Sequence, residues 1–229
     1  MTRRQRIALA GVVAVAALAA VVWGGPVLLS RMSFFRVRQV ELIGVKYLAP
    51  DSVLSRLGLS RTANLFDDAG VIERRAADLP GVVSATVERR LPGTLRVTVV
   101  EQVPVAFAPG ADRLVAMDGD GKTLPYDAAT SGLDLPVMAW PDSLLLRTLA
   151  VVRSTDSTLF RDVDGVRRAT GGGLVLELGG RRLLLEGVPA PEDVRAVSAV
   201  RRHLAQSGRT YRELDARYEG WVVVRRSRT

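Results

Sequence analysis

The chain has 229 residues, enough for one or two compact domains, and 48 % of them are hydrophobic. It contains no cysteine and one histidine. That excludes disulfides, thiolate metal centres and cysteine nucleophiles, and leaves one imidazole for any zinc site or serine–histidine triad. The net charge is +8, but four arginines and no acid fall in residues 1–31, so the remainder carries only +4, spread along the chain with 5 % aromatics. The clustered basic and stacking pattern of a nucleic-acid binder is missing.

Arg3, Arg4 and Arg6 precede a run from Ile7 to Ser30 without one charged residue. As a helix those 24 residues reach ~36 Å, against roughly 30 Å of bilayer hydrocarbon. The run is therefore expected to span a membrane (7–30), with 1–6 as a cytoplasmic tail. The charges do not decide its orientation. Three Arg and the α-amino group on one side face Arg31, Arg36, Arg38 and Lys46 on the other. Two other readings stand: a cleaved export signal ending near Ala17-Leu18-Ala19, with Arg3-Arg4 as a twin-arginine pair, and a buried soluble helix. Against cleavage, the apolar run continues through Val21, Val22 and Trp23.

Next, Val37, Val40 and Leu42 predict a strand that Gly44 ends. Pro50-Asp51-Ser52 opens a helix that Gly58 closes. A second helix is expected from about Asp67 to Leu79, with Ile72, Ala76 and Leu79 at helical spacing and acids at its start. The period then becomes two. Val83, Ala85 and Val87 are expected to share a packed face, as are Leu95, Val97 and Val99, with a turn at Leu91-Pro92-Gly93-Thr94 between them. The order is β-α-α-β-β.

That order, directly after an apolar run, resembles the POTRA domain of the FtsQ/DivIB family of bacterial division proteins. The resemblance is carried by Phe34-Phe35-Arg36-Val37, by Val40-Glu41-Leu42-Ile43-Gly44, and by the stretch from Val87-Glu88-Arg89-Arg90 through Leu91-Pro92-Gly93 to Glu101. Pro104-Val105-Ala106 follows. Gln102 departs from the basic residue the family often has there. A generic α+β domain would share the order, but not the proline turn and the neighbouring apolar run together.

Beyond residue 102, Arg113–Met117 predicts a strand and Leu144–Val152 a helix capped by Asp142 or Ser143. Val163–Ala169 predicts another strand, followed by Leu174–Leu178 and Arg181–Glu186 as a hairpin around Gly179-Gly180. Pro191 begins a helix bearing Val194, Val197, Val200 and Leu204 on one face, ending at Ser207-Gly208. The closing Leu214-Asp215-Ala216-Arg217-Tyr218 and Trp221-Val222-Val223-Val224-Arg225-Arg226 resemble the end of the family's β-domain. The expected fold class is thus α+β: a transmembrane helix, a POTRA domain at 34–102 and a mixed β-sheet domain with flanking helices at 103–226.

Three features that look chemical are read as structural. His203 lies beside two arginines on the amphipathic helix, in no nucleophile context. Gly121-Lys122-Thr123 lacks the first glycine of a phosphate loop, since position 116 is alanine. Asp118-Gly119-Asp120-Gly121 lacks the calcium loop's bidentate acid, since position 129 is alanine. No catalytic, cofactor, metal or small-molecule site is expected. The resemblance implies a non-catalytic division scaffold, single-pass in the inner (plasma) membrane with extracytoplasmic domains, receiving FtsB and FtsL through the sheet near its end. The candidate partner-binding residues are Tyr218, Trp221, Val222, Val223, Val224 and Arg225. They form a valine-rich strand that offers a backbone edge, with aromatic and cationic contacts beside it. An exported periplasmic enzyme and a POTRA-bearing secretion or assembly factor are the alternatives.

Overall fold

The computed structural model describes Val15 and residues 33–60, 62–128 and 132–226. The expected tail 1–6 and anchor 7–30 thus lie outside the described residues, apart from Val15. Among the described residues no helix is long and apolar enough to cross a membrane. The chain divides into two compact units, one ending at Glu101 and one beginning at Gln102.

The first unit holds β1 (Gln39–Ile43), α1 (Pro50–Leu57), α2 (Ala69–Ala77), β2 (Val82–Arg90) and β3 (Thr94–Glu101). β3 is central, parallel to β1 and antiparallel to β2. Pro50 starts α1, where a missing N–H costs nothing, and Gly58 ends it in the left-handed conformation at φ 64°. Asp68 caps α2 by accepting from the Gly70 N–H at 2.9 Å. The helices cover one face of the sheet. Val53, Leu57, Leu65, Ile72 and Ala76 pack there on Leu95, Val97 and Val99. Full burial of each large side chain contributes ~1.5–3 kcal/mol.

The expected alternation in β2 is wrong at its first position. Val83 is 61 % exposed, whereas Val82 and Ala85 are buried. The register against β3 slips between Val82 and Ser84, so a bulge places one extra residue there and turns Val83 outward. On the open face a row of charge crosses all three strands. Arg96 lies opposite both Glu88 and Glu41 and binds Glu41 at 2.9 Å. At the end of β3 the buried Glu101 carboxylate accepts the backbone N–H groups of Lys46, Tyr47 and Leu48 at 2.8, 2.8 and 2.9 Å.

The second unit begins with β4 (Ala106–Pro109), β5 (Leu114–Met117) and β6 (Thr123–Asp127), paired in the order β4-β5-β6. Val137 alone makes a parallel bridge to Phe107 in β4 and another to Gly165 in β7 (Gly165–Arg168). β8 (Leu174–Leu178), β9 (Arg181–Leu185), β10 (Glu213–Tyr218) and β11 (Trp221–Arg225) follow, in the order β11-β10-β9-β8-β7. Among the described residues the two sheet segments thus meet through the short stretch centred on Val137, where Pro136 and Met138 hydrogen-bond to Phe107 and the Val137 N–H donates to the Asp164 carbonyl.

The helices are α3 (Ser143–Thr155), α4 (Ser157–Arg161) and α5 (Pro191–Gln206). Asp142 caps α3, accepting from the Leu144 and Leu145 N–H groups, and Asp156 caps α4 in the same way. Gly179 and Gly180, at φ 57° and 79°, form the tight turn between β8 and β9. Asp118 accepts the N–H groups of Asp120 and Lys122, so the Asp-Gly repeat serves the turn into β6.

Candidate protein-docking edge

β10 runs parallel to β9. Two parallel neighbours need a crossover, and α5 supplies it. After β10 the Glu219-Gly220 turn, with Gly220 at φ 73°, brings the chain back antiparallel as β11. β11 is the last strand in the sheet. Its inner side pairs with β10, and its outer side meets no strand among the described residues.

The two faces of β11 differ. Val222 and Val224 are half-buried, and Val224 lies opposite the fully buried Leu214. α5 packs against both β10 and β11. On that side Val200, Leu204 and Val224 line an open, mainly apolar groove bordered by His203, Arg209 and Arg226. Trp221, Val223 and Arg225 point to the opposite face. Trp221 is 76 % exposed, Tyr218 54 % and Val223 42 %, and Tyr218 is the direct cross-strand partner of Trp221. Aromatic rings left in water at a sheet rim have their apolar area unspent.

A bulge between Asp215 and Tyr218 interrupts the β10–β11 register. Beside it Asp215 has no solvent exposure, and Arg217 clamps it with Nε at 2.8 Å and a terminal nitrogen at 2.7 Å. Arg225 reaches the same carboxylate at 3.4 Å and Glu213 at 3.3 Å. The hydrogen bonds from the Arg217 side chain hold the Asp215 carboxyl below the ordinary carboxylate range. Burial opposes this, while the Arg217 backbone N–H and the charge of Arg225 reinforce it. The pair sets the shape of the strand end that carries Tyr218 and Trp221.

All six residues singled out from the sequence lie on this hairpin, and they divide between its faces. Tyr218, Trp221, Val223 and Arg225 are open to solvent, while Val222 and Val224 are half-buried and Val224 lies beside α5. Sequence reasoning did not find Asp215 as the fixed point of the rim, nor the α5 groove beside it. An Asp-x-Arg at two-residue spacing on a strand was the available signal for the first. The single histidine is exposed on α5 at the groove's border.

The profile of the family described as "POTRA domain, FtsQ-type" matches residues 35–102. The chain is similar to the Cell division protein FtsQ of Mycobacteroides abscessus, 31 % identical over 181 residues, covering 76 % of this chain and 57 % of that protein. It is 36 % identical over 114 residues to the FtsQ of Corynebacterium glutamicum, with 49 % and 48 % covered. It is also 26 % identical over 180 residues to that of Mycobacterium tuberculosis, with 76 % and 56 % covered. The chain spans about half the length of these relatives.

Proposed function

We propose, for this member of the FtsQ/DivIB family, the role of a non-catalytic scaffold of the bacterial division machinery. In this reading residues 1–6 stay in the cytoplasm and 7–30 cross the membrane once. The POTRA domain (34–102) and the β-domain (103–226) stand outside the cytoplasm. β11 takes up a strand from a partner of the FtsB/FtsL type, with Tyr218 and Trp221 as apolar anchors and Arg225 meeting partner acids.

One observation carries the reading: the strand with the most exposed aromatic residue of the unit is also the terminal strand of its sheet. Such an edge offers backbone hydrogen bonds to an added strand, and proteins ordinarily blunt it. Tethering all partners in one membrane raises their effective concentration, so modest contacts suffice. The work required is binding and placement, which calls on no reactive side chain.

The test is capture of a purified FtsB/FtsL pair by the full chain and by chains carrying Trp221→Ala or ending after Gly220. Truncation should abolish capture and Trp221→Ala should weaken it roughly tenfold or more, as for a central aromatic anchor. Undiminished capture by both variants refutes the docking role of β11.

A further inference from the structure

The first unit has two distinct poles. At one, the backbone N–H groups of Arg38 and Gln39 both donate to the Gly93 carbonyl, at 2.8 and 3.2 Å, which ties the start of the unit to the β2–β3 hairpin tip. Arg38 also donates to the Phe34 carbonyl at 2.8 Å and lies over the Phe34 ring at 5.8 Å. Phe34 packs edge-on against Phe35, and Phe35 against Phe66, so the ring is held from behind. Even so, Phe34 is 57 % exposed and Leu91 at the hairpin tip 68 %. Arg36 and Arg38 follow Phe34 in the chain, Arg89 and Arg90 precede Leu91, and all four are exposed.

Acids lie at this pole too. Glu88 pairs with Arg90 at 3.2 Å. Asp67 and Asp68 are turned onto the backbone N–H groups of Asn64 and Gly70. Among the described residues Arg36, Arg38 and Arg89 have no carboxylate partner in an ion pair, and Arg89 donates to the Asp67 backbone carbonyl.

We propose that this pole seats on an anionic bilayer surface, with Phe34 and Leu91 entering the headgroup layer and Arg36, Arg38, Arg89 and Arg90 contacting lipid phosphates. The inference rests on residues 7–30 crossing the membrane. Ser30 and Phe34 are four residues apart, so Phe34 lies within about 14 Å of the end of the uncharged run. Interfacial anchors combine apolar tips with long cations whose stems lie along apolar surface while the heads reach anionic lipid. The exposed Val83 is at the far pole, where β2 begins, roughly 25 Å along the strands from Leu91.

Because the chain lacks cysteine, single Leu91→Cys and Val83→Cys substitutions accept one environment-sensitive fluorophore each. The full chain is placed in lipid nanodiscs of phosphatidylcholine, with or without phosphatidylglycerol, containing a lipid that bears a shallow nitroxide quencher. With phosphatidylglycerol, the label at 91 should be quenched at least about threefold more than the label at 83, as an interfacial anchor requires. Adding Arg36→Glu and Arg90→Glu, or omitting the anionic lipid, should lower the quenching at 91 toward that at 83. Equal quenching at 91 and 83 in anionic discs overturns the proposal. So does quenching at 91 that is indifferent to both charge changes. Retention of the chain in the discs after alkaline carbonate, scored on the same samples, shows whether the membrane-span reading falls with it.

Discussion

Asp215 and Arg217 sit two positions apart on β10, joined by two side-chain hydrogen bonds of 2.8 and 2.7 Å and a backbone one of 3.3 Å, with the carboxylate wholly buried and the guanidinium reaching solvent. The asymmetry sets the cost of breaking the pair. Removing the acid leaves a cation that can turn to water, so the penalty is below that of stranding a buried charge. Asp215→Asn should cost about 1–3 kcal/mol at neutral pH, read as a lower urea midpoint for the second unit.

The same residue gives a pH dependence of definite sign. Its folded-state carboxyl is depressed, so the unfolded chain takes up the proton first on acidification. The stabilisation is fully present above the unfolded value near pH 4 and disappears as the pH falls through the lower folded value. Asp142 acts likewise, because the hydrogen bonds from Arg168 hold its carboxyl down. Urea titrations from neutral to strongly acidic pH should show a shallower acid decline in Asp215→Asn than in the parent chain. Equal slopes would remove Asp215 from the acid sensitivity.

Glu101 holds a loop by its backbone. Three N–H groups converge on one buried carboxylate, and an alanine there supplies no acceptor for any of them. Glu101→Ala should destabilise the first unit by roughly 2–3 kcal/mol and open the segment 45–49 to protease. A cleavage rate at that segment equal to the parent's would argue against the role.

Gly44 ends β1 at φ 85°, and a Cβ built there would stand 2.1 Å from the Val99 carbonyl oxygen. Both the conformation and the space demand glycine. Gly44→Ala should cost at least about 2 kcal/mol, measured as a drop in the thermal midpoint of the first unit. An unchanged midpoint would mean β1 and β3 part more easily than their register implies.

Neighbouring valines on β11 should behave differently. Val224 opposes Leu214 and leans on α5, so Val224→Asp desolvates a charge and should lower stability by at least ~2 kcal/mol. Val223 lies on the other side, 42 % exposed and directly opposite Asp215, so Val223→Lys sets a cation and not a second acid beside that carboxylate and should leave the urea midpoint within about 0.5 kcal/mol while abolishing capture of the FtsB/FtsL pair. Loss of stability in both variants would mean the two faces are not distinct.

Much of the architecture was legible because local chemistry and tertiary need agree. Pro50 and Gly58 bound α1, and Gly179-Gly180 can only turn. The helical spacing of Val194, Val197 and Leu204 matches their burial. What escaped was what pairing decides. The bulge in β2 depends on its partner strand, so the pattern put Val83 in the core. β4 is four residues long, ends in proline and carries no alternation. The stretch around Val137 joins the sheet segments through isolated bridges, below any periodicity. At the rim, the β-branched run of β11 was readable, but its place at the end of the sheet follows from the β9–β10 crossover. Asp215 escaped because a carboxylate on a strand ordinarily reads as wet, and only the folded register brings Arg217 and Arg225 over it.

The parallel pairing of β1 with β3 has a mechanical corollary. A pull applied between residue 33 and residue 101 drags these adjacent strands in opposite directions along their length. Every inter-strand hydrogen bond of the pair then shares the load at once instead of parting one after another like a zip. Tension along the chain meets the first unit in its stiffest direction, whereas a sideways tug on the outer strand β2 would peel it from β3 bond by bond.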